Sequence, residues 1–287
     1  MGQPMAANLA REGFAVRSFD LKGNGSCKSI REAAEGADVL ITMLPDGAAV
    51  REAVLEALPS LRSGAVVVDM SSSDPASTRA LAPALQPKSI DMLDAPVSGA
   101  VAKAKDGTLT IMIGGDREVF EKCTPILRAM GKDLFHVGPL GAGHAVKALN
   151  NYLGAVGTLA GFEALLVARA LGLDPRAMLE AINASTGRNS TTERKIPQQV
   201  LTGAFASGFK LALMAKDVGI AAGLARDLGV EAPLLKETLR LWRAAQKRLR
   251  AQADHTEIFH FLERLKIPSR AGSARRSNLR RKRRRST

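Results

Sequence analysis

Between residues 14 and 138, short β-branched apolar runs alternate with stretches whose apolar positions recur every three or four residues. The runs predict strands at 14–19 (FAVRSF), 38–43 (DVLITM), 65–69 (AVVVD), 91–95 (DMLDA), 109–114 (LTIMIG) and 134–137 (LFHV). The stretches KSIREAAE, AAVREAVLEAL, PASTRALAPAL and REVFEKCTPILRAM between them predict helices. Parallel strands need crossover connections, so this alternation predicts a doubly wound α/β unit with a largely parallel sheet. After Gly138 the strand pattern stops. The segment from Gly143 to Leu173 contains no proline and predicts one long helix, and Asp174-Pro175 reads as an N-cap followed by proline in the first helical position. Further helices are predicted at 208–228, 232–252 and 256–265, which makes the second half all-α.

Composition narrows the class. At 287 residues, 46% hydrophobic and 24% charged, the chain is long enough to bury a core and is neither collagen-like nor built on disulfides. Cys27 and Cys123 provide no disulfide framework, and His136, His144, His255 and His260 show no metal-ligand spacing and no acidic cluster beside them, so no metal is expected. Charges come too early for an export signal, and the most apolar segment is interrupted by Glu163 and Arg169; the expectation is a soluble, cytoplasmic protein without a membrane span. Nine of the net +13 charges fall in residues 268–287, which hold no acid and leave +4 on the rest. That basic tail is expected to be disordered, either simply solvated or in contact with nucleic acid or an anionic membrane surface. Aromatic residues, at 4%, are too few for stacking platforms.

Gly2 opens a short amphipathic helix followed by a strand ending at Asp20, the spacing of the third glycine and the ribose-binding acid of a dinucleotide-binding βαβ unit. The preceding strand and the first two glycines are absent, so the expectation is either a start upstream of Met1 or a truncated product in which two inner strands lose their shared partner. Lys147 and Asn151 lie four residues apart near the start of the long helix, with Gly154 and Thr158 continuing the same stripe. Two readings fit that spacing: a lysine depressed by burial near a positive helix end, or an exposed lysine on a solvated face. In DAPVSG, Ser98 and the N–H groups around Gly99 sit at the C-terminal end of a strand, where open α/β sheets bind ligands, although such residues also simply end strands.

Together MGQPMAANLAREGF (1–14), TMLPD (42–46), DAPVSGAVAKAKDGTLTIMIGG (94–115), GAGHAVKALNNYL (141–153) and LMAKDVGIAAGLARDLGV (213–230) resemble the 3-hydroxyisobutyrate dehydrogenase family of β-hydroxyacid dehydrogenases, over residues 1 to about 265. The resemblance implies a Rossmann-type doubly wound domain at 1–138, here without its first strand. A long helix joins it to an all-α domain at 139–267, as in 6-phosphogluconate dehydrogenase, and the tail occupies 268–287. It implies oxidation of a small β-hydroxyacid to its semialdehyde, or the reverse, with Lys147 as acid/base, Asn151 holding the substrate beside it, and Ser98 and Gly99 receiving its carboxylate. Gly2, Asp20, Leu44, Pro45, Ser72 and Lys216 fall at cofactor positions, and a homodimer or homotetramer is implied. Asp20 favours NAD over NADP, because a carboxylate bonds the ribose hydroxyls and repels a 2′-phosphate; Lys22 softens that preference. Three departures stand out: Ala100 replaces the second glycine after Ser98, Ala49 an asparagine, and Ser72 a threonine. An inactive family member and a basic-tailed binding protein are the competing expectations.

Overall fold

A computed structural model describes residues 1–265; the basic tail at 268–287 lies outside the described residues. The first half runs α1 (Gly2–Arg11), α2 (Ile30–Ala34), β1 (Val39–Thr42), α3 (Gly47–Ala57), β2 (Val66–Asp69), α4 (Pro75–Leu85), β3 (Asp91–Asp94), β4 (Val97–Ser98), α5 (Ala100–Asp106), β5 (Leu109–Gly114), α6 (Arg117–Met130) and β6 (Gly131–Gly138). The second half is helical: α7 (Ala142–Ala170), α8 (Pro175–Asn183), a π-helical segment Thr191–Val200, α9 (Leu211–Asp227), α10 (Pro233–Arg248), a 3-10 turn His255–Glu257 and α11 (Ile258–Glu263).

The six-stranded sheet is mixed rather than largely parallel. β1, β2 and β3 run parallel, as do β5 and β6, whereas β5 is antiparallel to β3 at Asp94–Gly114 and to β4. The antiparallel pairing arises because the chain kinks at Ala95-Pro96, resumes as β4 and returns through the short α5 instead of a full crossover. Val67 turns toward the core lined by Val50, Val54 and Leu81, while Val66 and Val68 turn toward that of Leu93, Ile111, Ile113 and Leu127. Both faces of the central strand β2 are therefore covered, which is why it reads as an unbroken apolar run.

Residues 14–19 do not form the predicted strand. Phe14 and Val16 still pack against the sheet core, so the apolar run had a real cause. What is lacking is a ladder: β1 pairs only with β2, and among the described residues no strand lies at its other edge for 14–19 to extend.

The 29-residue α7 has Asp174-capped α8 after it, with the Asp174 carboxylate accepting from Ala177 N–H at 2.8 Å. Among the described residues α7 is the one helix long and apolar enough to cross a membrane by composition. Its apolarity is accounted for in part by packing: Leu159, Phe162 and Leu165 enter the helical core with Ile196, Val218 and Trp242. Phe162 meets Phe259 edge-on at 5.4 Å.

Ala100, where glycine would be ordinary, adopts φ +57°, following Gly99 at φ +134°. An alanine in the left-handed region costs roughly 1–2 kcal/mol. Ala100→Gly relieves that strain and returns part of it as unfolded-state entropy, so a net stabilisation of about 0.5–1 kcal/mol is expected in denaturant unfolding. A lower midpoint for the glycine variant would contradict the strain.

Candidate active site

Lys147 lies in the second turn of α7 and is only 9% exposed. Removing an ammonium from water disfavours its charged form, and burial pushes the Lys147 amine below the ordinary lysine range. The nearby Lys216 charge acts in the same direction, and Asp217 opposes both. The buried side of the Lys147 stripe is thus the realised one of the two readings its spacing allowed.

One turn along, Asn151 Nδ2 donates to Asp217 Oδ2 at 2.6 Å. Asp217 is 2% exposed; its Oδ1 has no hydrogen-bond partner and lies 3.3 Å from Lys216 Nζ. A buried carboxylate with a free acceptor is costly unless charge compensates it, and the Lys216 ammonium beside it provides that. The sequence reading missed Asp217: a Lys-Asp pair on a helix ordinarily faces solvent, and only the packing of α9 on α7 turns this one inward.

Lys216 also reaches across to the first half, where its Nζ donates to Pro45 O at 3.1 Å and to Ser72 O. The loops it clasps follow β1 and β2, and both are fixed by Asp69. That buried carboxylate accepts from Thr42 Oγ1 (2.8 Å), Ser71 N–H (2.9 Å) and Ser73 Oγ (2.7 Å), while Ser71 Oγ accepts from Leu44 N–H (2.9 Å). Asn151, Leu44, Pro45 and Ser72 are thereby joined through Asp217 and Lys216, and Lys147 lies close enough to feel both of those charges.

Ser98 and Gly99 stand at the end of β4; among the described residues no hydrogen bond links them to Lys147 or Asn151. Asp20 and Gly2 sit apart from the lysine cluster. Asp20 is exposed at the rim of a hollow of about 460 Å³ lined by Phe19, Leu21, Gly23, Gly25 and Ser26, with Oδ1 accepting from Lys22 N–H at 2.7 Å. Gly25 is required there, since a Cβ would lie 2.6 Å from Ser18 O. The N–H groups at the start of α1 have no side-chain cap. A carboxylate facing an open hollow and an uncapped helix start suit the ribose and the phosphates of a nicotinamide dinucleotide.

The sequence shows no acidic cluster beside any histidine, but the fold brings two acids to one of them. His144, completely enclosed, lies with Nε2 3.6 Å from Asp69 Oδ2 and Nδ1 3.7 Å from Asp94 Oδ2, acids far from it in sequence. Segment 187–195 packs along α7, where Lys195 Nζ donates to Thr158 Oγ1 at 2.7 Å and burial pushes its amine down to about 8. Among the described residues no cluster of His, Cys, Asp and Glu could hold a metal.

Known proteins are similar to this one over nearly the whole chain. Residues 1–138 match the family profile for the NAD binding domain of 6-phosphogluconate dehydrogenase, and residues 141–262 that for NAD-binding of NADP-dependent 3-hydroxyisobutyrate dehydrogenase. The chain is 36% identical over 279 residues to 2-(hydroxymethyl)glutarate dehydrogenase of Eubacterium barkeri, covering 92% of each. It is 37% identical over 277 residues to NAD-dependent L-serine dehydrogenase of Pseudomonas aeruginosa, covering 90% of this chain and 93% of the other. The structure of Mycobacterium tuberculosis 3-hydroxyisobutyrate dehydrogenase with L-serine superposes with a TM-score of 0.85 at 32% identity, over 91% of this chain and 95% of that one. An NAD(P)-binding sheet domain, a helical domain and this likeness to several hydroxyacid dehydrogenases place the chain in the 3-hydroxyisobutyrate dehydrogenase family of β-hydroxyacid dehydrogenases, oxidoreductases acting on CH–OH groups.

Proposed function

We propose that the protein oxidises a small 2-substituted 3-hydroxypropanoate, 3-hydroxyisobutyrate being the type, to its semialdehyde, or reduces the semialdehyde, with NAD as the preferred cofactor. The observation that carries this reading is the buried Lys147 amine beside Asn151, Lys216 and Asp217. The substrates named for the relatives, 2-(hydroxymethyl)glutarate, L-serine and 3-hydroxyisobutyrate, share a primary hydroxyl one carbon away from the carbon bearing a carboxylate, and this common unit defines the proposed class.

When bound, the nicotinamide supplies the acceptor or donor of a hydride at the carbinol carbon. Lys147, uncharged, takes the hydroxyl proton as the C–O bond becomes a carbonyl; protonated, it returns that proton in reduction. Asn151, held by Asp217, orients the substrate beside the amine, and Ser98 with the N–H groups of the Gly99 turn receives the carboxylate. Gly2 at the start of α1 and Asp20 hold the cofactor's phosphates and ribose, and Leu44, Pro45, Ser72 and Lys216 form its remaining wall. Asp20 supports NAD by repelling a 2′-phosphate.

A homo-oligomer is also proposed. Leu153, Val167 and Leu171 stand 61–70% exposed along or just beyond α7, an apolar face that a second copy would cover.

Lys147→Ala is expected to lower kcat by about 10²–10⁴-fold in both directions, the usual contribution of a general base. Lys147→Arg should fare no better, since guanidinium does not release its proton. In the oxidative direction kcat/KM should climb with pH as Lys147 deprotonates and level off below the ordinary lysine range; reduction should fall through the same limb. Because Asp217 raises the Lys147 pKa, Asp217→Asn should move that limb to lower pH, and an unmoved or upward limb would contradict the assignment. Finally, Asp20→Ala should weaken NAD binding and narrow its advantage over NADP, as read by titration of both; unchanged affinities would remove Asp20 from the site.

A further inference from the structure

The helix that carries Lys147 does not cap its own beginning. Gly141, at its N-cap with φ +94°, has no side chain to accept the first N–H groups. The missing acceptor comes from Asp94, at the end of β3 and 0% exposed. Its Oδ1 accepts from Gly141 N–H at 2.6 Å and its Oδ2 from His144 N–H at 2.7 Å, so both oxygens are committed to the first turn of α7. A carboxylate at this end also complements the helix dipole.

The junction is tight on every side. A Cβ at Gly143 would lie 2.4 Å from Met112 O and 2.9 Å from Asp94 Oδ2, and one at Gly114 would lie 2.4 Å from Asp94 Oδ1. The His144 ring fills the remaining space, its Nδ1 paired with Thr78 Oγ1 at 2.9 Å. Along the chain, Asp94 precedes Ser98 by four residues and His144 precedes Lys147 by three. One buried carboxylate therefore connects the strand leading to the Ser98–Gly99 turn with the helix turn leading to the amine, two parts of the site that share no direct hydrogen bond.

We propose that Asp94 is a positioning residue for the reaction: by fixing the first turn of α7 against the ends of β3 and β5, it sets the Lys147 amine relative to the Ser98–Gly99 turn. A misplacement of about 1 Å at a reacting group costs on the order of 10²-fold in rate. The inference rests on Lys147 as the acid/base.

The test compares the full chain with Asp94→Asn, which keeps the size but turns an amide NH₂ toward one of the two N–H donors, and with Gly143→Ala, which keeps the carboxylate but pushes the helix start off the junction. For each, kcat is expressed per cofactor-binding site, together with hydroxyacid KM, cofactor Kd and the primary deuterium isotope effect from substrate deuterated at the carbinol carbon. Positioning requires kcat to fall at least about tenfold in both variants, the isotope effect to rise, and cofactor Kd to stay within about twofold. A folded variant with kcat per site within twofold of the parent overturns the inference, as does activity lost only in proportion to unfolded protein. If Asp94→Asn does not fold, Gly143→Ala decides alone; failure of both to fold assigns Asp94 to the fold and overturns the proposal equally. Lys147→Ala measured alongside separates the two readings: full activity there overturns the acid/base role, whereas its loss beside an unaffected Asp94→Asn overturns only the positioning role.

Discussion

Taking the Lys147 amine out of water is the constraint on which the other features of the site depend. A buried ammonium is expensive, so the fold either neutralises it or supplies charge and hydrogen bonds nearby. Here both operate. Burial and Lys216 favour the uncharged amine, while Asp217 on α9 limits how far the shift goes. Asp217 in turn is tolerable inside because Asn151 donates to it and the Lys216 ammonium lies beside it. Removing Lys216 leaves the Asp217 carboxylate without its neighbouring cation, and removing Asp217 takes away the charge that opposes the Lys147 shift.

Two further carboxylates hold this pair of helices to the sheet. Asp69 and Asp94 occupy equivalent places, paired with each other in register at the C-terminal ends of β2 and β3, where the loops of an open α/β sheet converge. Asp69 accepts one hydrogen bond from the end of β1 and two from the loop after β2 that Lys216 also touches, and Asp94 accepts one from the N-cap of α7 and one from its first turn. His144 stands between them. The strand ends thus pass their geometry to the loops after β1 and β2 and to the start of α7 through hydrogen bonds to carboxylates rather than through apolar packing, which is less directional.

Much of this was legible in the sequence where a local rule was sufficient. The bounds of α4 and α6 follow from their three-and-four periodicity, and the start of α8 from the Asp174 cap. The Lys147 stripe and the glycines before it could be read from spacing alone, whereas Ala100, at positive φ, stood out only as a departure from the resembled family's glycine. What escaped depends on contacts distant in sequence. Asp217 looks like half of an exposed pair until α9 meets α7, and the acids around His144 lie 50 and 75 residues before it. The strand expected at 14–19 had the apolar run but no ladder, which a single segment cannot report. The π-helical turn at Thr191–Val200 was hidden because it contains Pro197 and ordinary helix formers, and its shape is set by packing on Gly161 and Thr158.

The claim that Lys147 is held below its ordinary pKa can be measured without turnover. NMR titration of protein carrying ¹³C at lysine Cε, with the Lys147 signal assigned by its loss in Lys147→Arg, reads the ionisation of that amine directly. It should titrate well below the main group of surface lysines. A Lys147 signal that moves together with them would mean that the amine is charged and solvated near neutral pH, contradicting the account at its base.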